Sequence, residues 1–231
     1  TRPALQDVSL TIPARHTIGF VGPSGAGKTT CVDVLLALLS PNTGTLSVDD
    51  LVITNNNRRA WQNTVGYVPQ SIFLIDASIR QNIALGIAEM DIDEERVQRS
   101  IKLAHIEDLI EQLPEGLETH TGERGVQLSG GQRQRIGIAR ALYHDPDVIV
   151  LDEATSALDN RSEQRIMASL DELRDNKTVI IIAHRLTTVQ RCDLIFVMDN
   201  AQVVASGSYN TLIQHCDLFR ALANTTSTLA D

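Results

Sequence analysis

The fold of this chain is decided by the stretch Gly22-Pro23-Ser24-Gly25-Ala26-Gly27-Lys28-Thr29, which continues into Thr30. The stretch fits the pattern G-x-x-x-x-G-K-[ST], in which glycines let backbone N–H groups wrap a phosphate. The residues before it, 16–21, predict a buried strand, and the residues after it, 28–39, predict a helix. This strand–loop–helix context is the one that the pattern needs in order to hold phosphate.

Two side chains of this loop point to a nucleotide with a metal ion. In loops of this kind the lysine, here Lys28, reaches the β- and γ-phosphates, and the hydroxyl of the next residue, Thr29, binds Mg²⁺. We therefore expect residues 22–30 to bind a nucleoside triphosphate. The alternative is an ordinary glycine-rich turn.

A second stretch suited to phosphate follows much later, at Leu128-Ser129-Gly130-Gly131-Gln132. Its Gly-Gly turn opens into a helix-forming run over 133–144. Small residues before a helix leave backbone N–H groups open at the positive end of the helix dipole, which suits an anion. The cluster of Arg133, Arg135 and Arg140 predicts local contact with an anion or a partner. Two phosphate-binding loops in one small domain need an explanation.

Two carboxylates end the apolar run Val148-Ile149-Val150-Leu151-Asp152-Glu153. In enzymes with this phosphate loop, an acidic residue at such a strand end supports Mg²⁺, which assigns Asp152 to the metal. Glu153 is then placed to polarise the attacking water as a general base. The alternative is a solvated strand end with two surface acids.

Length and composition are those of one globular α/β domain. The 231 residues are 42% hydrophobic and 21% charged, and the formal net charge is −9. This acidic balance argues against a nucleic-acid footprint, which needs clustered excess Lys and Arg. The three cysteines are widely spaced and odd in number, so they predict neither a zinc site nor a disulfide framework.

The predicted elements define a parallel sheet core with a helical insertion. The continuous apolar runs at 148–151 and 179–183 are typical of strands buried on both faces. A hairpin is predicted around Asp49-Asp50, although its turn lacks the usual glycine. The pattern is mainly helical over 71–145, so we expect one domain over 1–231 with a helical lobe at 71–145. Further strands are predicted at 5–12, 65–68, 194–198 and 203–206.

Together these motifs resemble the nucleotide-binding domain of exporter-type ABC (ATP-binding cassette) transporters, whose signature loop is the LSGGQ at 128–132. Gln70 resembles the glutamine of the family's Q-loop, and Ser156-Ala157-Leu158-Asp159 resembles its D-loop. His184 resembles its switch histidine, which contacts the γ-phosphate. The segments 76–83 and 119–125 are similar to those of exporter-type members. The resemblance implies an α/β P-loop NTPase (RecA-like) fold with a parallel-sheet core, a small antiparallel β subdomain and the inserted helical lobe.

The resemblance also implies an activity and its cofactors, namely hydrolysis of ATP to ADP and phosphate with Mg²⁺. Lys28, Glu153 and His184 would be catalytic, and Asp159 would contact the nucleotide together with the signature loop. The metal would be held by Thr29, Gln70 and Asp152.

The resemblance further implies partners. Two copies would dimerise head to tail, so that the phosphate loop of one and the signature loop of the other clamp one ATP, which accounts for the two loops. A transmembrane domain fused upstream of Thr1 would place this domain at the cytoplasmic face of the membrane, powering export or flipping of a substrate that the sequence does not identify, with no nucleic-acid partner. The runs 113–116 and 180–188 are similar to those of lipid or lipid-linked-glycan flippases. The alternative is a soluble ABC ATPase that acts on nucleic acid or ribosomes.

Overall fold

The computed structural model describes residues 3–155, 157–173, 176–183 and 186–227. The chain forms two compact units. The terminal unit comprises residues 1–65 and 177–231, and the middle unit comprises residues 66–176. Within the described part of the chain, no helix is both long enough and apolar enough to cross a membrane.

Strands occur both before and after a run of four consecutive α-helices. The strands are β1 (Thr17–Val21), β2 (Ser47–Val48), β3 (Leu51–Val52), β4 (Val65–Val68), β5 (Val148–Asp152), β6 (Thr178–Ile182), β7 (Leu194–Asp199) and β8 (Gln202–Gly207). The helices are α1 (Lys28–Leu35), α2 (Arg58–Gln62), α3 (Ile79–Ile83), α4 (Glu94–Leu103), α5 (Glu107–Gln112), α6 (Gly130–Leu142), α7 (Asn160–Glu172), α8 (Leu186–Val189), α9 (Tyr209–His215) and α10 (Asp217–Ser227).

The sheet of the terminal unit is built around β1. This strand pairs in parallel with β6 on one side and β7 on the other, so that Gly19 lies opposite both Ile181 and Ile195. The last strand, β8, pairs antiparallel with β7. Every residue of β1 and of β6 is buried, which is expected of strands covered on both faces. The strand predictions from the continuous apolar runs are confirmed.

The strand predicted at 5–12 is wrong. Apolar residues are half-buried at every second position, at Val8, Leu10 and Ile12, each preceded by an exposed residue. The segment forms no strand, however, and Asp7 takes a left-handed backbone conformation with φ of 51°, which breaks an extended chain. A surface segment can bury every second residue without pairing in a sheet, and an apolar pattern does not distinguish the two.

The predicted hairpin around Asp49-Asp50 is confirmed as β2 and β3. Ser47 pairs with Val52, and Val48 pairs with Leu51. Asp49 and Asp50 have φ of 47° and 65°, the pair of positive values that a two-residue type I′ turn requires. Aspartate tolerates this region better than most residues, so it replaces the missing glycine.

The middle unit carries β4 and β5 as neighbouring strands and the helices α3 to α7. The helix α6 packs against α3 and α4. A Cβ at Gly137 of α6 would lie 2.4 Å from the Cδ1 of Ile72, so a larger residue there would force the Ile72 side chain to move. The side chain of Asp93 caps the first turn of α4, within the stretch predicted to be helical.

Candidate functional site

The phosphate loop lies between β1 and α1 in the terminal unit, and its backbone requires glycine at both ends. At Gly22, φ is 151° and an added Cβ would lie 2.1 Å from the carbonyl oxygen of Met198. Gly27 precedes α1 with φ of 99°. A side chain at either position would displace the loop, which is the physical reason for the G-x-x-x-x-G spacing.

Lys28 lies over the start of this loop. Its Nζ donates to the carbonyl oxygens of Gly22 and Pro23 at 2.8 and 2.9 Å, and the side chain is only 6% exposed. The helix α1 has no side-chain cap and no acidic residue in its first turn. No side chain of the cap position or of an acid in the first turn therefore occupies this helix end. A buried ammonium beside an uncapped helix N-terminus is suited to phosphate.

Helix α1 also carries a buried thiol. Cys31 is 4% exposed, and burial raises the pKa of this thiol to about 11. The thiol is therefore protonated at neutral pH, and it behaves as a small apolar side chain. Cys31 of α1 therefore packs in the core.

In the middle unit, Asp152 ends β5 as a buried carboxylate. It is 5% exposed, and the hydroxyl of Tyr67 on the neighbouring strand β4 donates to its Oδ2 at 3.4 Å. Carboxylate oxygens are ligands that Mg²⁺ prefers. Sequence reasoning missed Tyr67, because nothing in the sequence shows which strand lies beside β5.

The structure brings Gln70 and Glu153 together, although 83 positions separate them in the chain. The Nε2 of Gln70 donates to the Oε2 of Glu153 at 2.6 Å. Glu153 has a backbone φ of 49°. Residues other than glycine rarely adopt this conformation, and those that do are often found at functional sites. Because the amide nitrogen of Gln70 is directed at Glu153, the amide oxygen is the end that can ligate a metal.

The signature loop forms the start of α6 in the middle unit. Ser129 and Gln132 make a capping box, in which the Ser129 Oγ accepts from the Gln132 N at 3.2 Å and the Gln132 Oε1 accepts from the Ser129 N at 2.7 Å. Gly130 and Gly131 are the first two helical residues, so their N–H groups point out of the helix end. Leu128 is buried and anchors the loop. The side chain of Gln132 therefore holds Ser129 in place.

Asp159 is the N-cap of α7. Its Oδ2 accepts from the Ser162 hydroxyl at 2.6 Å and its Oδ1 from the Ser162 N at 2.9 Å. The hydrogen bonds from the side chain and the backbone of Ser162 lower the pKa of the Asp159 carboxyl. Ser156 and His184, predicted as parts of the D-loop and the switch, lie outside the described residues.

The arginine cluster on α6 binds the protein itself, whereas the sequence predicted contact with an anion or a partner. All three guanidinium groups donate to backbone carbonyls within the middle unit. Arg133 reaches Leu128 at 2.5 Å, Arg135 reaches His105 at 2.8 Å, and Arg140 reaches Phe73 at 2.8 Å. Burial lowers the pKa of Arg140, which also donates to Asn82. These arginines fix α6 in place, a role that only the packing reveals.

Two features of this chain define the class of P-loop NTPases. One is a glycine-rich phosphate loop between a buried parallel strand and a helix, and the other is a buried aspartate at a strand end of an α/β fold. The sequence of this chain matches the family described as "ABC transporter" over residues 5–156. The chain therefore belongs to the ABC transporter family.

Curated relatives support this placement. An ATP-dependent lipid A-core flippase of Cupriavidus pinatubonensis is 40% identical over 209 residues, which cover 90% of this chain and 35% of the flippase. The Beta-(1-->2)glucan export ATP-binding/permease protein NdvA of Rhizobium etli is 42% identical over 227 residues, 98% of this chain and 38% of NdvA. The chain thus spans little more than a third of the length of either relative.

A solved structure has the same fold. It is a bacterial Atm1-family ABC exporter with ATP bound, which aligns with a TM-score of 0.92 at 35% sequence identity. The alignment covers 97% of this chain and 39% of that chain. The α/β P-loop fold predicted from the sequence is confirmed.

Proposed function

We propose that this chain hydrolyses ATP with Mg²⁺ to power export or flipping across a membrane, through a head-to-tail dimer that holds ATP between two copies. The observation that carries the proposal is the 2.6 Å hydrogen bond between Gln70 and Glu153, the residue that follows the buried Asp152 in the chain. It would join a metal ligand and a general base in one cluster, which suits hydrolysis of the β–γ phosphoanhydride bond of ATP by water.

Each predicted site residue has a proposed role. Lys28 and the loop amides of residues 22–30 hold the phosphates, and Glu153 takes a proton from the attacking water. His184 steadies the γ-phosphate. The D-loop residue Asp159 contacts the nucleotide, a role compatible with its capping of α7.

The proposed metal ligands have the chemistry of a magnesium site. Thr29 offers a hydroxyl oxygen, Gln70 an amide oxygen and Asp152 a carboxylate oxygen, and Mg²⁺ prefers oxygen ligands together with phosphate and water. When bound, the ion neutralises charge on the β- and γ-phosphates. Among the described residues there is no group of three or more His, Cys, Asp or Glu that could hold a metal ion, so a site shared with phosphate fits this chain better than an all-protein cage.

The signature loop serves the nucleotide of a second copy in this proposal. In the capping box the Oγ of Ser129 accepts from the Gln132 N–H, and the hydroxyl keeps one rotatable proton that it can donate to a ligand. Together with the N–H groups of Gly130 and Gly131, this proton gives a set of donors for one anion. Leu128 and Gln132 keep these donors in position. The dimer is proposed to be a homodimer.

The membrane part of the proposal rests on the relatives. A lipid A-core flippase and a glucan exporter both exceed this chain by nearly two thirds of their length. We assign to this chain one nucleotide-binding domain over 1–231 with its helical lobe at 71–145, joined to a transmembrane domain upstream of Thr1. The domain would work at the cytoplasmic face of the membrane on a lipid-linked or glycan substrate.

The dimer is tested by the dependence of activity on protein concentration. The specific ATPase activity of the chain is expected to rise with its own concentration and then to saturate. In Ser129→Asp, the aspartate still caps α6 but places a carboxylate opposite the partner's phosphate, so this rise should be lost while dilute protein still binds ATP. Ser47→Ala, on the exposed strand β2, is the control. Specific activity that is independent of concentration in the wild type would refute the dimer.

The second candidate function, a soluble ATPase acting on nucleic acid or ribosomes, makes a different prediction. Its ATPase rate should respond to added DNA or RNA. With a net charge of −9, we expect this chain to show no response at physiological salt. A severalfold stimulation by either polymer would favour the second candidate.

A further inference from the structure

The turn after Glu153, which contains Ala157, is hydrogen-bonded to the helix α6 by a buried glutamine. Ala157 lies four residues after Glu153, and its N–H donates to the Oε1 of Gln134 at 3.1 Å. Gln134 belongs to α6 and is 4% exposed. Neither the sequence nor the similarity to known proteins assigned a role to this side chain.

The same turn is held to α7 at two other points. The hydroxyl of Thr155 donates to the Oε1 of Glu163 at 2.9 Å, and Asp159 caps the helix. Within the turn, the Leu158 N–H donates to the carbonyl of Thr155 at 3.0 Å. The turn is therefore fixed on the α7 side, and Gln134 supplies a hydrogen bond on the α6 side.

The signature glycines pack directly on this turn. A Cβ at Gly131 would lie 3.3 Å from the carbonyl oxygen of Ala157, and one at Gly130 would lie 3.5 Å from the Cβ of Ala157. Gln134 is one helical turn further along the same face of α6, since residues four apart are neighbours on a helix. The N-terminal part of α6 therefore contacts the turn after Glu153 directly.

We propose that Gln134 is a positioning residue that holds the turn after Glu153 in register with the signature loop. The inference rests on the proposed dimer, in which Glu153 acts on the nucleotide of its own chain and Ser129 acts on that of the partner. Gln134 then joins the two ATP sites within each chain, so that a shift of one loop displaces the other. Water activation by Glu153 becomes dependent on a correctly seated signature loop.

The test compares two substitutions of Gln134. Gln134→Met keeps the length of the side chain but has no acceptor oxygen, so the Ala157 N–H loses its partner. Gln134→Glu keeps an oxygen at the same place. We expect Gln134→Met to lower kcat about tenfold at saturating ATP and protein, while the Kd of dilute protein for ATP changes less than about twofold. Gln134→Glu should keep kcat within about threefold of the wild type.

The matched control is Gln112→Met, at an exposed position at the end of α5. It makes the same chemical change and should leave every parameter unchanged. Wild-type kcat in Gln134→Met would overturn the proposal. So would a Gln134→Glu variant as slow as Gln134→Met, since the acceptor oxygen would then be irrelevant.

A measurement on the wild-type chain keeps the proposal testable if Gln134→Met does not fold. Ala157 is exposed, so protection of its amide against hydrogen exchange depends on the bond to Gln134 and not on burial. We expect exchange at least about 100-fold slower than in an unstructured peptide. Unprotected exchange at Ala157 would refute the link. Failure of the dimer appears instead as wild-type activity that is independent of concentration, with the Ala157 amide still protected.

Discussion

Replacement of Glu153 by glutamine is expected to abolish most ATP hydrolysis without disturbing the site. Glutamine has the shape of glutamate, and its amide oxygen can occupy the position of the Oε2 that accepts from Gln70 at 2.6 Å. The hydrogen bond is thus retained, while the group that takes a proton from water is lost. Glu153 is only half-buried, so we expect the free energy of unfolding to change by no more than about 0.5 kcal/mol.

The size of the effect follows from the role of the carboxylate. A positioned general base contributes about 10²–10⁴-fold to a rate. The activation barrier of Glu153→Gln should therefore rise by about 3–5 kcal/mol, since each tenfold corresponds to about 1.4 kcal/mol. The affinity for ATP should remain within about threefold, because binding uses the phosphate loop of residues 22–30.

The assay is phosphate release under saturating ATP and Mg²⁺, combined with titration of ATP binding to the same protein. Glu95→Gln, at an exposed position in the first turn of α4, is the control for loss of a carboxylate and should hydrolyse ATP normally. A Glu153→Gln rate within about threefold of the wild type would refute the role of Glu153. A parallel loss of ATP affinity and rate would show that Glu153 acts in binding.

Three further predictions concern the loop, a thiol and a helix cap. Gly22→Ala should lower the free energy of unfolding by at least about 2 kcal/mol in urea titration and abolish ATP binding, because its Cβ would lie 2.1 Å from a backbone carbonyl oxygen; normal stability would contradict the steric argument. Cys31, with its pKa raised to about 11, should resist N-ethylmaleimide at pH 8 in folded protein, while the half-exposed Cys216 reacts first; mass spectrometry of the modified peptides decides the order. The lowered pKa of Asp159 stabilises the fold fully above its unfolded value of about 3.9, and the contribution is lost as the pH falls through the lower folded value. Asp159→Asn keeps the cap but removes this titration, so a curve of stability against pH below 4 should be flatter than that of the wild type, and identical curves would show that Asp159 is not responsible.

Much of the fold could be predicted because its signals are local. The buried strands β5 and β6 follow from continuous apolar runs, and the cap of α4 follows from one aspartate before a helical pattern. The prediction was wrong for the segment 5–12, because the same apolar pattern fits both a β-strand and an irregular surface segment. The helix predicted over 28–39 also ends early, at Leu35, and Ala37 takes a left-handed φ of 52° soon after it. Backbone turns of this kind depend on packing that the sequence pattern does not contain.

The sequence by itself determined the chemistry of the phosphate loop, because glycine spacing and a lysine at a helix start are properties of neighbouring residues. It also determined the strand end that presents Asp152 and Glu153. Only the tertiary structure decided which residues contact these two carboxylates. Gln70 donates to Glu153, and Tyr67 donates to Asp152. Partners more than 80 positions away are chosen by strand order and helix packing, and no local pattern records that choice.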